Sequence, residues 1–255
     1  MNVFITGASS GIGAALAREF AGRGATLGLV ARRQAVLDEL ADRLPGVHRT
    51  YAVDVTDKDA IVAAGRDFDA ASGGADLVIA NAGISVGVLT EHFEDLDAFR
   101  QVLETNVLAM AYTFHPFIAP MRHRRHGTLA GIASVAGIRG LPGSEAYCAS
   151  KAAAISYLES LRVELRRFGV RVVTIAPGFV RTPLTARNPY RMPFLMAPEA
   201  FARAAANAML AGTSYRVIPW QMAFVAKLLR ALPNWAFDRL MANRPYKPRK
   251  TEPSP

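Results

Sequence analysis

The chain has 255 residues, a formal net charge of +9 at neutral pH and one cysteine, Cys148. This length suits one large α/β domain, and a single cysteine excludes a disulfide framework within the chain and favours a reducing cytoplasm. The sequence starts directly with a strand pattern and has no apolar run long enough for a bilayer, so we expect neither a signal peptide nor a transmembrane helix.

The N-terminal segment, residues 3–20, joins an apolar run, a glycine-rich turn and a helical pattern. Gly7, Gly11 and Gly13 occupy the turn. A strand, a glycine turn and a helix N-terminus form an anion site, because unpaired N–H groups meet the ligand and missing Cβ atoms allow close approach. The spacing Gly-x-x-x-Gly-x-Gly is neither the usual dinucleotide fingerprint nor a Walker loop. A flexible loop is the alternative, but the position of the glycine turn between a strand and a helix favours a nucleotide site.

The second predicted strand, residues 25–30, is followed by Arg32 and Arg33, with no acid at positions 31–33. The end of this strand contacts the ribose 2′ position in a dinucleotide site, where arginine suits a 2′-phosphate. This pattern favours NADP(H). Two surface arginines at the start of a helix are the alternative.

Strands and helices alternate along the rest of the chain. Further strands are predicted at 51–55, 76–80, 127–134, 171–176 and 215–218, with helices at about 57–70, 96–118, 144–168 and 198–210. Alternation of this kind predicts a Rossmann-type doubly wound α/β domain, with seven mainly parallel strands and helices on both faces. The Pro-, Arg- and Met-rich residues 183–197 predict a mobile loop over the site.

Tyr147 and Lys151 are four residues apart, so they share one face of their predicted helix. Ser134 lies thirteen residues before Tyr147, where the fifth strand ends. Ligands in open α/β sheets bind at the carboxyl ends of strands. The three side chains are therefore candidates for one reactive centre, and a solvated Tyr–Lys pair is the alternative.

Taken together, these motifs resemble the short-chain dehydrogenase/reductase family over about residues 1–218. In chain order they are Thr6-Gly7-x-x-x-Gly11-x-Gly13, Asp54, Asn81-Ala82-Gly83, Asn106, Ser134, Tyr147-x-x-x-Lys151, and Pro177-Gly178 with Thr182. Two positions depart from the family pattern: Ala80 stands where another Asn is frequent, and Cys148 where Ser is usual. Neither departure removes a catalytic group.

The resemblance implies an enzyme that transfers a hydride between a nicotinamide and a carbonyl or alcohol. Tyr147 would be the general acid or base, with its pKa lowered by Lys151 and by the oxidised nicotinamide. Ser134 would hydrogen-bond the substrate oxygen, and Asn106 would hold a water that links Lys151 to solvent. A non-catalytic NADP-binding regulator is the alternative function. A sugar epimerase or dehydratase is less favoured, because the chain lacks its larger C-terminal substrate region.

The resemblance also implies a cofactor-binding set. Its glycines would cradle the diphosphate, Asp54 would accept from the adenine amine, Asn81 would bridge strand ends and Thr182 would contact the carboxamide. The set comprises Gly7, Ser9, Ser10, Gly11, Ile12, Gly13, Arg32, Arg33, Asp54, Val55, Asn81, Ala82, Gly83, Tyr147, Lys151, Pro177, Gly178, Val180 and Thr182. We assign no metal site.

Apolar side chains surround the predicted reactive centre and suggest a hydrophobic substrate; packing against one another is the alternative. They are Val135, Ala136, Ile138, Leu141, Pro142, Phe179, Leu184, Met192, Phe194, Leu195 and Met196. The helices at 96–118 and 144–168 resemble those that pair subunits in this family, which implies a homodimer or homotetramer.

The C-terminal part divides by pattern into an amphipathic extension, residues 219–243, and a basic tail, residues 244–255, that we expect to be disordered. One predicted helix starts at Trp220, and Asn234 is predicted to cap a second. Residues 220–255 carry seven Lys and Arg residues against two acids. We expect the apolar face to pack over the cleft or on another subunit, with peripheral contact to an anionic membrane as the alternative. No motif supports nucleic-acid binding.

Overall fold

The computed structural model describes residues 1–186 and 188–249. Its strands are β1 (Asn2–Thr6), β2 (Thr26–Ala31), β3 (Arg49–Ala52), β4 (Leu77–Ala80), β5 (Thr128–Ile132), β6 (Arg171–Pro177) and β7 (Tyr215–Ile218). Its α-helices are α1 (Gly11–Gly22), α2 (Gln34–Asp42), α3 (Lys58–Ser72), α4 (Asp95–Leu103), α5 (Ala109–Arg124), α6 (Glu145–Arg166), α7 (Pro198–Leu210), α8 (Trp220–Ala231) and α9 (Asn234–Met241).

The strands form one parallel sheet in the order β3-β2-β1-β4-β5-β6-β7. The doubly wound α/β fold predicted from the alternating pattern is confirmed. The strand order reverses between β1 and β4, so the connections after these two strands diverge to opposite faces. A crevice therefore opens at their carboxyl ends, where ligands bind in sheets of this type.

Two apolar layers cover the two faces of the sheet. Along β1, Val3 and Ile5 face the layer that contains α1 and α7, whereas Phe4 faces the layer that contains α3, α5 and α6. The ring of Phe4 lies 5.4 Å from that of Phe68 and 5.1 Å from that of Phe117. Because both faces are buried, the central strands β1, β2 and β4 are largely apolar runs, whereas the edge strands β3 and β7 are partly exposed. This packing fixes the sheet edge that carries the site.

The prediction of one helix across residues 96–118 is wrong. A π-helical turn, Glu104–Leu108, separates α4 from α5. The additional residue in this turn lets Asn106 point inward, where its Oδ1 accepts from Ile84 N at 2.8 Å and its Nδ2 donates to Ser150 Oγ at 2.9 Å. π-Turns are rare and are frequently found at functional sites.

The expectation of a disordered tail from residue 244 is wrong for residues 244–249, which we call the C-terminal strap; residues 250–255 lie outside the described part of the chain. Gly87 N donates to Pro248 O at 3.1 Å. Arg249 Nε donates to Asp95 Oδ2 at 2.7 Å, and its Nη2 donates to Asp95 Oδ1 at 3.2 Å. The strap is ordered because backbone pairing and this buried ion pair hold it.

The N-cap of the second C-terminal helix, α9, is not the predicted Asn234. Pro233 is the N-cap of α9, and Asn234 is its first residue, with Oδ1 accepting from Arg139 Nη2 at 3.2 Å. Among residues 1–186 and 188–249, no helix has the length and apolar character needed to cross a bilayer.

Candidate active site

The glycine turn between β1 and α1 forms one end of the site. Gly7 and Gly11 have φ angles of +67° and +54°, a region that side chains rarely adopt. A Cβ on Gly7 would lie 2.9 Å from Ala82 Cα, and one on Gly13 would collide with Gly7 O. The first turn of α1 leaves backbone N–H groups directed at the crevice. This cradle, kept open by its missing Cβ atoms, fits a diphosphate.

The end of β2 and the segment after β3 form the next part of the site. Arg32 and Arg33 are exposed and line the crevice together with Asp54. Thr56 donates to Asp54 Oδ1 through its N–H at 3.0 Å and its hydroxyl at 2.8 Å. Burial raises the pKa of Asp54, but these hydrogen bonds and the charge of Arg32 outweigh it, so the pKa lies below its ordinary value. Asp54 is therefore an ionised acceptor.

Asn81 joins the ends of β1 and β4. Its Nδ2 donates to Thr6 O at 2.9 Å and to Gly7 O at 3.3 Å, and its N–H donates to Thr6 Oγ1 at 3.1 Å. Its side chain therefore fixes the glycine turn against the adjacent strand.

Ser134, Tyr147 and Lys151 converge where β5 ends. Ser134 caps a short 3₁₀ turn, because its Oγ accepts from Ala136 N at 3.1 Å. Lys151 is buried, and its Nζ donates to Ile132 O at 2.8 Å and lies 5.8 Å from the centre of the Tyr147 ring. The cap uses Ser134 Oγ only as an acceptor, so the hydroxyl proton can be donated to the Tyr147 side chain. One strand end thus collects a hydroxyl, a phenol and an ammonium group.

Burial is the main cause of the pKa shifts of Tyr147 and Lys151. It raises the pKa of Tyr147 to about 12, although a hydrogen bond with Ser134 acts in the opposite direction. It also lowers the pKa of Lys151 to about 8. Lys151 is not among the groups that change the pKa of Tyr147 in this structure. The lowered pKa of Tyr147 therefore stays a prediction for the cofactor-bound protein.

Asn106 lies behind this centre. Its Nδ2 donates to Ile84 O at 3.0 Å and to Ser150 Oγ, and a Cβ on Gly83 would lie 3.1 Å from its Oδ1 and 3.6 Å from Lys151 Nζ. Both amide protons therefore have protein partners. The side chain positions the loop after β4, and its predicted water-holding role stays a prediction.

A crevice of about 400 Å³ connects these parts. It is lined by all the predicted site residues except Gly13, which packs beneath the turn, and Asn106. Other lining residues were not predicted from the sequence, among them Thr56, Ile84, Gln101, Glu104 and Thr105. The last three lie on α4 and the π-turn, and no local pattern marks them. The donors and the open cradle together fit a nicotinamide dinucleotide.

A second cavity of about 350 Å³ adjoins the first, and Ser134, Tyr147, Gly178, Leu184 and Thr185 line both. Its wall is largely apolar. The apolar members are Val135, Ala136, Ile138, Leu141, Pro142, Phe179, Pro193, Met222, Val225, Ala226, Leu229 and Met241. A substrate in this cavity would meet Ser134 and Tyr147, which line both cavities.

The loop at 183–197 covers the junction of the cavities, and residue 187 lies outside the described chain. Arg181 N donates to Met196 O and Met196 N to Phe179 O, both at 2.9 Å, so the base of the loop is closed. Tyr190 and Pro193 contribute to the substrate cavity. The loop lies where it was predicted to lie.

The C-terminal strap also contributes to the substrate cavity, through Arg244, Pro245 and Lys247. Gly87 and Gly143 allow its approach, because a Cβ on Gly87 would collide with Lys247 O and one on Gly143 would lie 2.7 Å from Tyr246 Cβ. Two isolated glycines were the only sequence signal for this contact.

Comparison with known proteins agrees with this geometry. The family described as short chain dehydrogenase matches residues 1–191. An uncharacterised oxidoreductase of Myxococcus xanthus is 40% identical over 237 residues, covering 92% of this chain and 93% of its own. The dehydrogenase/reductase SDR family member 7B of Bos taurus is 34% identical over 273 residues, covering 99% of this chain and 83% of its own.

Solved structures give the same result. A short-chain dehydrogenase from Streptomyces avermitilis superposes with a TM-score of 0.76 at 25% identity, covering 94% of both chains. A 3-oxoacyl-[acyl-carrier protein] reductase from Brucella melitensis has a TM-score of 0.76 at 30% identity, covering 85% of this chain and 89% of its own. The chain thus belongs to the short-chain dehydrogenase/reductase family and is an NAD(P)-dependent oxidoreductase.

Proposed function

We propose that this oxidoreductase uses NADP(H) to interconvert a carbonyl and an alcohol on a hydrophobic small molecule. The observation that carries the proposal is that Ser134 and Tyr147 line both the dinucleotide crevice and the apolar cavity. We assign residues 1–218 to the catalytic domain and residues 219–243 to an extension that completes the substrate cavity.

Tyr147 is the proton donor during carbonyl reduction and the acceptor during alcohol oxidation. Ser134 orients the substrate oxygen towards that phenol, since its hydroxyl proton is free of the cap hydrogen bond. Lys151 places an ammonium group beside the phenol and favours its ionised form when the proton leaves. Bound NADP(H) supplies the hydride or accepts it, and the protein contributes position and field.

The NADP(H) preference is supported by the two arginines at the end of β2. Arg32 and Arg33 both line the crevice, and no acid at positions 31–33 is present to accept from a 2′-hydroxyl. A guanidinium forms charge-assisted, bidentate hydrogen bonds with a phosphate.

The hydrophobic character of the substrate is supported by the wall of the second cavity. Met222, Val225, Ala226 and Leu229 come from the buried side of α8, and Met241 comes from α9. The relative from Brucella melitensis is a reductase of 3-oxoacyl groups, which combine a ketone with an apolar chain. Chemistry of that class suits this cavity.

A carbonyl panel tests the function. Purified protein is mixed with NADPH and aliphatic ketones and aldehydes of increasing chain length, and the loss of NADPH absorbance is followed. Rates should rise with chain length and be faster with NADPH than with NADH. If NADPH binds but no member of the panel is reduced, and no alcohol counterpart is oxidised by NADP⁺, the non-catalytic alternative is favoured.

We also infer a homodimer or homotetramer in the cytoplasm. Exposed apolar residues on the π-turn and on α6 support pairing: Leu108 is 47% exposed and Val163 is 65% exposed. The single cysteine is free and buried, in keeping with a reducing compartment. Light scattering during size-exclusion chromatography measures the mass, and a monomer at micromolar concentration would contradict the assembly.

We also infer that α8 and α9 make peripheral contact with an anionic membrane. Their outer side exposes Trp220, Phe224 and Trp235, which are 72%, 70% and 75% accessible. Lys227 and Arg230 are exposed on the same helix pair. Aromatic side chains flanked by cations suit an anionic lipid surface.

Co-sedimentation with vesicles tests this contact. The full chain should sediment with vesicles that contain anionic lipid at low salt, and a Trp220→Gln/Phe224→Gln variant should remain in the supernatant. Val47→Gln, which replaces an 83% exposed apolar residue elsewhere, is the matched control. Failure of the wild-type chain to sediment excludes membrane contact.

A further inference from the structure

The short turn at residues 182–186, which we call the covering turn, borders both cavities. Four of its residues line the cofactor crevice, and two of these, Leu184 and Thr185, also line the substrate cavity. The turn is held internally by Thr185, whose Oγ1 donates to Val180 O at 2.6 Å and accepts from Thr182 N at 3.0 Å. It is therefore a compact unit at the junction of the two cavities.

The covering turn has a contact at each end. At one end, a Cβ on Gly11 would lie 3.2 Å from Thr182 Cβ, so the turn packs closely on the glycine turn. At the other end, Leu184 O accepts from Lys247 Nζ at 3.1 Å, and the same ammonium donates to Ser85 Oγ at 3.0 Å. Ser85 belongs to the loop after β4, which borders the crevice. Through Lys247, the turn is thus connected to the loop after β4.

Lys247 is itself held by its neighbours in the C-terminal strap. Gly87 N donates to Pro248 O at 3.1 Å, and Arg249 Nε donates to the buried Asp95 Oδ2 at 2.7 Å. Lys247 is buried, with 8% of its surface exposed. A buried ammonium is costly unless it is hydrogen-bonded, so its contacts with the two loops are strongly favoured. The strap therefore supplies a fixed point to which the covering turn is attached.

We propose that Lys247 is a positioning residue that holds the covering turn over the cofactor crevice and thereby slows release of the nicotinamide dinucleotide. Lys247 lines the substrate cavity but is not among the described residues that line the crevice, so it acts through Leu184. When the ammonium releases Leu184 O, the turn can move away from Gly11 and open the crevice. The inference concerns cofactor release and depends neither on the substrate nor on the preference for NADP(H).

The rate of cofactor dissociation tests the proposal. Full-length protein is loaded with whichever of NADPH and NADH binds more tightly and is mixed rapidly with excess oxidised cofactor. The loss of the fluorescence of bound reduced nicotinamide then gives the dissociation rate. Lys247→Met keeps an unbranched side chain but removes the donors, so the turn opens more often. We expect the dissociation rate to rise about fivefold or more.

Ser85→Ala is a milder variant of the same contact. It removes one of the two acceptors of the Lys247 ammonium and leaves the ammonium in place. It should raise the dissociation rate less than Lys247→Met does. In the Lys247→Met background it should add little, because the hydrogen bond that it would break is already absent.

Hydrogen exchange of the cofactor-free protein is a readout without cofactor or turnover. In Lys247→Met, amides of the covering turn and of residues 84–87 should exchange faster than in the wild type. Arg124→Met is the matched control, since Arg124 Nη2 donates to Ala75 O at 3.0 Å, outside both cavities and at the opposite edge of the sheet. It removes one cation and one hydrogen bond to a carbonyl, and should leave cofactor dissociation and exchange of the turn unchanged.

An unchanged dissociation rate in folded Lys247→Met overturns the proposal. Faster dissociation without faster exchange of the covering turn also overturns it, because Lys247 then does not act through the turn. An equal rise in Arg124→Met does so as well, since the effect would follow a general loss of stability. If Lys247→Met does not fold, Ser85→Ala decides, and an unchanged rate in that variant overturns the proposal. None of these outcomes alters the role of Tyr147, which turnover tests separately.

Discussion

Lys151 Nζ donates to the backbone oxygen of Ile132 across 2.8 Å. Ile132 is the last residue of β5, and Ser134 follows two positions later. The same strand end therefore anchors the lysine and presents the serine on either side of Tyr147. A buried ammonium that is held by a carbonyl group is costly to keep charged, and this cost makes stability depend on pH.

Replacing Lys151 by Met should remove a pH-dependent term from the stability of the cofactor-free protein. Burial lowers the pKa of Lys151 to about 8, below the value of a free lysine, about 10.4. Between these values the unfolded chain binds more protons, so this group makes the free energy of unfolding rise with pH. Lys151→Met should be more stable than the wild type near pH 7, and its advantage should shrink from about pH 8 to pH 10.

Urea unfolding at several pH values measures that difference. The exposed Lys58, replaced in the same way, should show no such trend. A constant difference between Lys151→Met and the wild type across this range would mean that the ammonium is not desolvated.

Arg32→Ala should weaken NADPH binding about tenfold or more and leave NADH binding nearly unchanged. The reason is the loss of a charge-assisted contact to the 2′-phosphate, which contributes about 1.5–3 kcal/mol. Fluorescence titration with both cofactors measures the change, and Arg43→Ala, an exposed arginine at the end of α2, is the control. Equal kcat/KM values for NADPH and NADH in the wild type would contradict the preference.

Asp95→Asn should destabilise the fold by about 3 kcal/mol at neutral pH, because it removes the buried carboxylate that accepts two hydrogen bonds from Arg249, and the contact of Arg249 with the exposed Glu94, at 3.9 Å, is much weaker. Hydrogen bonds from Arg249 lower the pKa of Asp95, although burial acts in the opposite direction. A lowered carboxyl pKa stabilises the folded state above the ordinary value, about 4, and this contribution is lost as the pH falls below it.

The difference in the free energy of unfolding between the Asp95→Asn variant and the wild type should therefore decrease at acidic pH. Chemical unfolding at pH 7 and near pH 3 checks this expectation, and Asp97→Asn, which disrupts an exposed ion pair with Arg100, should have little effect at either pH. A pH-independent difference would show that the Asp95–Arg249 ion pair does not stabilise the fold, and that other contacts, such as the hydrogen bond from Gly87 N to Pro248 O, hold the strap.

The sequence was most informative where a function depends on a local pattern. The strand, glycine turn and helix at residues 3–20 required no long-range information, since Gly7 and Gly11 adopt the φ angles that only glycine tolerates well. The spacing of Tyr147 and Lys151 along one helix also fixed their common face.

The remaining features depend on contacts between residues far apart in sequence. Asp95 and Arg249 are 154 positions apart, and nothing near either residue indicates the pairing. Asn106 was recognised as a member of the site, but the π-turn that directs it inward depends on Ile84 and Ser150. The strap was predicted to be disordered because its composition is Pro-rich and basic. That composition does not indicate the buried Asp95 carboxylate with which Arg249 pairs.

The central claim is that Tyr147 transfers the proton during carbonyl–alcohol exchange with NADP(H). The most direct measurement compares initial rates of the wild type and Tyr147→Phe with NADPH and the best carbonyl of the panel, alongside NADPH affinity. The account predicts that the variant loses at least about hundredfold in kcat, because only the transferable proton is removed, and keeps its affinity for NADPH. A variant that reduces the same carbonyl at a near-wild-type rate would contradict the account.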